Sequence, residues 1–107
     1  MSTRAVRLVF LNGPEDGKEL TRTLPVVFGR YLESDVAVPY DALASRRHAQ
    51  LAFADDDVML EDLGSRNGTF LLTGQPVVTP TPIQPGTLFR VGGVWFRLVG
   101  VSVDTNV

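Results

Sequence analysis

Short runs of β-branched and aromatic residues, each closed off by glycine, proline, asparagine or aspartate, leave this chain little choice of secondary structure. Residues 6–12 (VRLVFLN), 18–24 (KELTRTL), 26–30 (VVFGR), 48–53 (HAQLAF), 58–63 (VMLEDL), 87–91 (TLFRV) and 94–103 (VWFRLVGVSV) all read as strands. Valine, phenylalanine and threonine suit a pleated, half-buried surface, and 18–24 alternates as one face in water requires. Asn12-Gly13-Pro14 starts a turn, Asp55-Asp56-Asp57 forms a hairpin loop, and Gly92-Gly93 is a two-residue hairpin signal. Pro76, Pro80, Pro82 and Pro85 forbid a helix over 76–85. Many short strands with frequent turn signals predict an all-β sandwich.

The chain is long enough for one domain with a true core. It has 107 residues, 44% of them apolar and 21% charged, so a single domain over 1–107 is expected, its core spanning about 6–103. The net charge of −2 argues against a nucleic-acid or anionic-membrane surface, either of which needs a basic excess. With no cysteine, disulfides, zinc–thiolate sites and cysteine nucleophiles are excluded, and a lone His48 excludes a multi-histidine metal site. No run approaches the roughly 20 apolar residues that cross a bilayer, and no secretory leader stands out at the start. A cytoplasmic location is the expectation, with no cofactor.

Enzyme readings fit poorly. Gly13-Pro-Glu-Asp-Gly17-Lys18 has one residue too few between its glycines for a phosphate-binding loop, and Glu19 stands where that motif needs Ser or Thr. Ser45 and His48 could suggest a nucleophile and base, but no strained G-x-S-x-G elbow surrounds the serine. The aspartates at 55–57 lack the spacing of a calcium loop. No catalytic residue is predicted.

Three loop-like segments remain: Gly29-Arg30, Ser45-Arg46-Arg47-His48 and Gly64-Ser65-Arg66-Asn67-Gly68-Thr69. Brought together at one end of a sandwich, they would offer guanidinium, hydroxyl and carboxamide groups to one small anion. That donor set suits a phosphate, because arginine meets it with a charged fork while hydroxyls and N–H groups complete the shell.

In order and spacing these segments resemble the forkhead-associated (FHA) family: G-R, then S-x-x-H, then S-x-N-G-T after the strand end Asp62-Leu63. Ser34-Asp35-Val36-Ala37-Val38 also resembles the family's segment after G-R. The resemblance runs from about residue 6 to 103. It implies a β-sandwich of two antiparallel sheets and about eleven strands, with binding loops at one end that recognise phosphothreonine peptides without catalysis.

The resemblance also implies roles. Arg30 would hold the phosphate, Ser45 would donate its hydroxyl, and Arg46 would offer its backbone N–H and its guanidinium. Arg66 would reach the phosphate or the peptide backbone, and Asn67 the peptide main chain. Gly29, His48, Ser65, Gly68 and Thr69 would support these loops, His48 by hydrogen bonding and Gly29 by letting another loop approach. Arg47 is read as a solvated surface residue. Asn67-Gly68 also reads as a type I′ turn. Thr73-Gly74 stands where many members carry Asn-Gly. Tyr40-Asp41-Ala42-Leu43-Ala44 has no basic residue, which predicts a neutral or apolar preference three positions beyond the phosphothreonine. The implied partner is a threonine-phosphorylated protein in a Ser/Thr-kinase pathway; the alternative is a phospho-independent scaffold using a sheet face.

Overall fold

A computed structural model describes residues 2–105. It contains ten strands: β1 (Ser2–Phe10), β2 (Glu19–Thr23), β3 (Val26–Gly29), β4 (Val36–Ala37), β5 (Ala49–Ala54), β6 (Asp57–Asp62), β7 (Thr69–Leu71), β8 (Thr81–Ile83), β9 (Leu88–Val91) and β10 (Val94–Thr105). They form two five-stranded sheets, ordered β2-β1-β10-β9-β7 and β4-β3-β5-β6-β8. The all-β sandwich of the sequence reading stands, with ten strands among the described residues against about eleven expected. The sheets are antiparallel except at one edge, where β4 pairs parallel with β3.

Alternation builds the core. On β1, Val6, Leu8 and Phe10 turn inward, as do Phe89 and Val91 on β9 and Phe96 and Leu98 on β10. They meet Val26 and Phe28 of β3, Leu51 of β5 and Leu60 of β6 from the other sheet. Phe28 ties the layers together: its ring lies 5.6 Å from Phe89 and 5.1 Å from Phe96, edge-on to both. Each such buried aromatic contributes about 1.5–3 kcal/mol by transfer alone.

Two turns depart from expectation. The β5–β6 loop is only Asp55-Asp56, because Ala54 pairs with Asp57. Both aspartates have positive φ, 53° and 64°, which is the type I′ pattern. Asn67-Gly68 is not such a turn: φ is positive at Gly68 but not at Asn67. The left-handed region is allowed to Asn yet not imposed, and here the Asn67 side chain is tied elsewhere. Beyond β7, Gly74 at φ 89° closes the turn where Thr73-Gly74 replaces Asn-Gly, its N–H reaching the Leu71 carbonyl at 2.9 Å.

Three strands escaped the sequence reading. β4 has two residues and β7 and β8 have three each, too few for any periodicity. β8 contains Pro82, tolerated because β8 is a sheet edge.

Register decides where the loops go. Phe28 pairs with Ala49 and Ala49 with Asp62, so the end of β3, the start of β5 and the end of β6 lie together. Thr69 pairs with Val91 and Val91 with Val94, bringing the start of β7 and the β9–β10 hairpin to one place. His48 bridges the sheets at this end, because its ring meets both Gly68 and Gly92.

Candidate functional site: a cationic loop cluster

The β3–β4, β4–β5 and β6–β7 loops meet at Ser45. Its carbonyl accepts the Arg30 N–H at 3.0 Å, its hydroxyl accepts the Arg66 N–H at 3.0 Å, and its own N–H reaches His48 Nδ1 at 3.0 Å. That bond uses a lone pair and not the hydroxyl proton, which is left to donate to an anion. Gly29 makes the approach possible: a Cβ there would stand 1.9 Å from the Arg46 carbonyl oxygen.

His48 is fully buried. Because Nδ1 must accept from Ser45, a neutral ring carries its proton on Nε2, which donates to the Gly68 carbonyl at 2.8 Å. The Gly92 N–H faces the same nitrogen at 3.3 Å; with the lone pair absent there, this is a packing contact. One imidazole thus braces the Ser45 loop against the Asn67-Gly68 loop.

Asp62, the last residue of β6, organises the third loop. Oδ2 accepts the N–H groups of Gly64 at 3.1 Å and Ser65 at 2.9 Å. Oδ1 accepts the hydroxyls of Ser65 and of the buried Thr69, the latter at 2.7 Å. The Ser65 hydroxyl in turn accepts the Gly68 N–H at 2.9 Å. Burial pushes the Asp62 carboxyl up, but the bonds from Ser65 and Thr69 and the nearby His48 outweigh it, holding the group below its usual 3.8. An aspartate two residues before Gly-Ser is the pattern of a side-chain-closed turn, a signal that was present in the sequence.

The cationic groups are left open. Arg30, Arg46, Arg47 and Arg66 are exposed, and among the described residues none of them pairs with a carboxylate within 4.0 Å. Arg46 stands 5.8 Å over the Tyr31 ring, and its backbone N–H has no protein partner among the described residues. Arg47 turns aside to a hollow of about 230 Å³ lined also by Glu33 and Asp35. Asn67 donates from Nδ2 to the Leu43 carbonyl at 2.9 Å, leaving Oδ1 unengaged. Gly68, at φ 86°, rests on the Phe70 ring, which a Cβ would approach to 2.9 Å.

A β-sandwich that gathers unneutralised arginines, a serine hydroxyl and an asparagine amide on the loops of one end presents a surface complementary to an anion. The FHA domain family's sequence profile matches residues 26–92, and this chain belongs to that family. It is 37% identical over 86 residues to the FHA domain-containing protein FhaB of Mycobacterium tuberculosis, an alignment covering 79% of this chain and 54% of FhaB. The chain therefore spans about half the length of that relative. Among solved structures, the FHA domain of an Arabidopsis thaliana hypothetical protein superposes with a TM-score of 0.77 at 27% identity, covering 98% of this chain and 92% of that one. The FhaA FHA domain, complexed with the intracellular domain of Rv3910, matches with a TM-score of 0.68 at 26% identity, covering 91% and 99%.

Proposed function

We propose that this domain recognises threonine-phosphorylated protein segments, as a non-catalytic reader in Ser/Thr-kinase signalling or phospho-dependent assembly. The observation that carries this reading is the convergence on Ser45, where one residue fixes the backbones of Arg30 and Arg66 and still has a hydroxyl proton to donate.

Arg30 supplies the principal charge and Ser45 and the Arg46 N–H supply donors to the phosphate oxygens. Arg66 reaches the phosphate or the peptide backbone. Asn67 engages the main chain beside the phosphothreonine. Gly29, His48, Ser65, Gly68 and Thr69 hold these groups in place. Charge-assisted bonds contribute about 1.5–3 kcal/mol each, and three or four of them less the cost of immobilisation put Kd on the order of micromolar. Tyr40 and Leu43, 38% and 49% exposed, stand in a segment without a basic residue, which favours a neutral or apolar residue three positions beyond the phosphothreonine. The complex of the FhaA domain with an intracellular protein domain supports a cytoplasmic, protein-directed role. Among the described residues no helix is long and apolar enough to cross a membrane.

An oriented phosphothreonine peptide library tests the reading. Enrichment of phosphorylated sequences, without acidic selection at the third following position, is expected. A folded protein that enriches none would favour the phospho-independent scaffold.

A further inference from the structure

Asn67 cannot turn freely. Its Nδ2 is committed to the Leu43 carbonyl, so Oδ1 faces outward and the complementary ligand group must be a donor, as a peptide N–H is. The orientation of this amide therefore depends on where the Leu43 carbonyl is held.

That carbonyl sits in a turn built on Asp41. Oδ1 accepts the Leu43 N–H at 3.0 Å, and Oδ2 accepts the Gly93 N–H at 2.7 Å from the β9–β10 hairpin, 52 positions away. The Asp41 carbonyl accepts the Ala44 N–H at 3.1 Å. The hairpin fits closely: a Cβ at Gly92 would lie 2.6 Å from Asp41 Oδ2 and 3.0 Å from the Ala44 Cα, at a φ of +61°. Asp41 thus uses both oxygens as acceptors, one toward the loop that carries Leu43 and one toward a closely packed hairpin of the opposite sheet.

We propose that Asp41 is a positioning residue for peptide recognition: it latches the Leu43 carbonyl to the β9–β10 hairpin, and through that carbonyl fixes the Asn67 amide with its oxygen toward the ligand. The proposal rests on the phosphopeptide reading above. Only a carboxylate serves, because the amide of an asparagine at this position would set its NH2 group against one of the two N–H donors. Asp41→Asn is therefore a near-isosteric change that removes the latch while keeping the volume.

Calorimetric titration with a phosphothreonine peptide bound by the wild type, applied to Asp41→Asn, Asn67→Ala and the double variant, reads the coupling. Asp41→Asn is expected to weaken binding about five- to tenfold, the loss of one well-placed hydrogen bond. The double variant is expected to bind no more than about twofold more weakly than Asn67→Ala alone. Wild-type affinity in Asp41→Asn, or losses that multiply in the double variant, would overturn the proposal. Hydrogen exchange of the Asn67 side-chain amide in the ligand-free wild type is an independent check, needing neither a peptide nor a folded variant. One proton protected by the Leu43 carbonyl is expected, and exchange of both at the rate of a free amide would overturn it. A wild type that binds no phosphothreonine peptide but shows this protection would refute the phosphopeptide reading, leaving the latch itself intact.

Discussion

The Ser45 hydroxyl accepts the Arg66 backbone N–H at 3.0 Å, joining loops that lie 21 positions apart in sequence. The oxygen therefore has two tasks, holding the third loop in place and donating its proton to the ligand. Ser45→Ala removes both while leaving the buried His48 in position. Phosphopeptide affinity is expected to fall about ten- to hundredfold, with near-wild-type urea stability, as measured by fluorescence anisotropy alongside denaturation.

Gly29 and Gly100 make opposite predictions for the same substitution. Gly29→Ala drives a methyl group to 1.9 Å from the Arg46 carbonyl oxygen, so backbone must move, and a Tm drop of roughly 10 °C or more is expected. Gly100 has open space at its Cβ position and no left-handed φ; Gly100→Ala should stay within about 1 kcal/mol of wild type. Thermal denaturation of the two variants in parallel decides it.

Asp62 makes stability depend on pH. Its native carboxyl lies below the ordinary value of 3.8, so it is ionised more readily in the folded chain than in the unfolded one. The stabilisation is fully present above the unfolded value and is lost as pH falls through the lower native one. Asp62→Asn replaces one acceptor oxygen with a donor and should cost about 1–3 kcal/mol at pH 7. It should also lose less stability than the wild type between pH 7 and pH 3. Urea midpoints at the two pH values measure both effects.

The fold was largely legible because it is written in period-two patterning: Val6, Leu8 and Phe10, or Phe89 and Val91, announce their inward face by alternation alone. The site was legible in part, as three charged and polar loop segments. What joins them was not. Asp62 carries a local turn signal, since the N–H groups it accepts belong to Gly64 and Ser65, but the bond from Asp41 to the Gly93 N–H spans 52 positions and has no local signature. The type I′ turn was misplaced for a related reason. Asn-Gly is permissive of positive φ, but the Asn67 amide is claimed by Leu43, while the strand pairing around Asp55-Asp56 demands that conformation.

Binding should track the charge of the phosphate. Its second ionisation lies near pH 6, so affinity is expected to fall below that value as the dianion becomes a monoanion beside the arginines. Titrations at pH 5 and pH 7.5 on the same peptide check this; equal affinity would contradict a site built for a dianion.

The most direct test compares three peptides that differ at one residue, carrying phosphothreonine, phosphoserine or threonine, against the wild type and Arg30→Ala. Binding of the phosphothreonine peptide with Kd on the order of micromolar is expected. Phosphoserine should bind more weakly, since the missing methyl is worth roughly 0.8 kcal/mol, and threonine not at all. Arg30→Ala should lose the interaction. A folded wild type that binds phosphorylated and unphosphorylated peptides alike, or an Arg30→Ala variant that binds as the wild type does, would contradict the phosphopeptide reading.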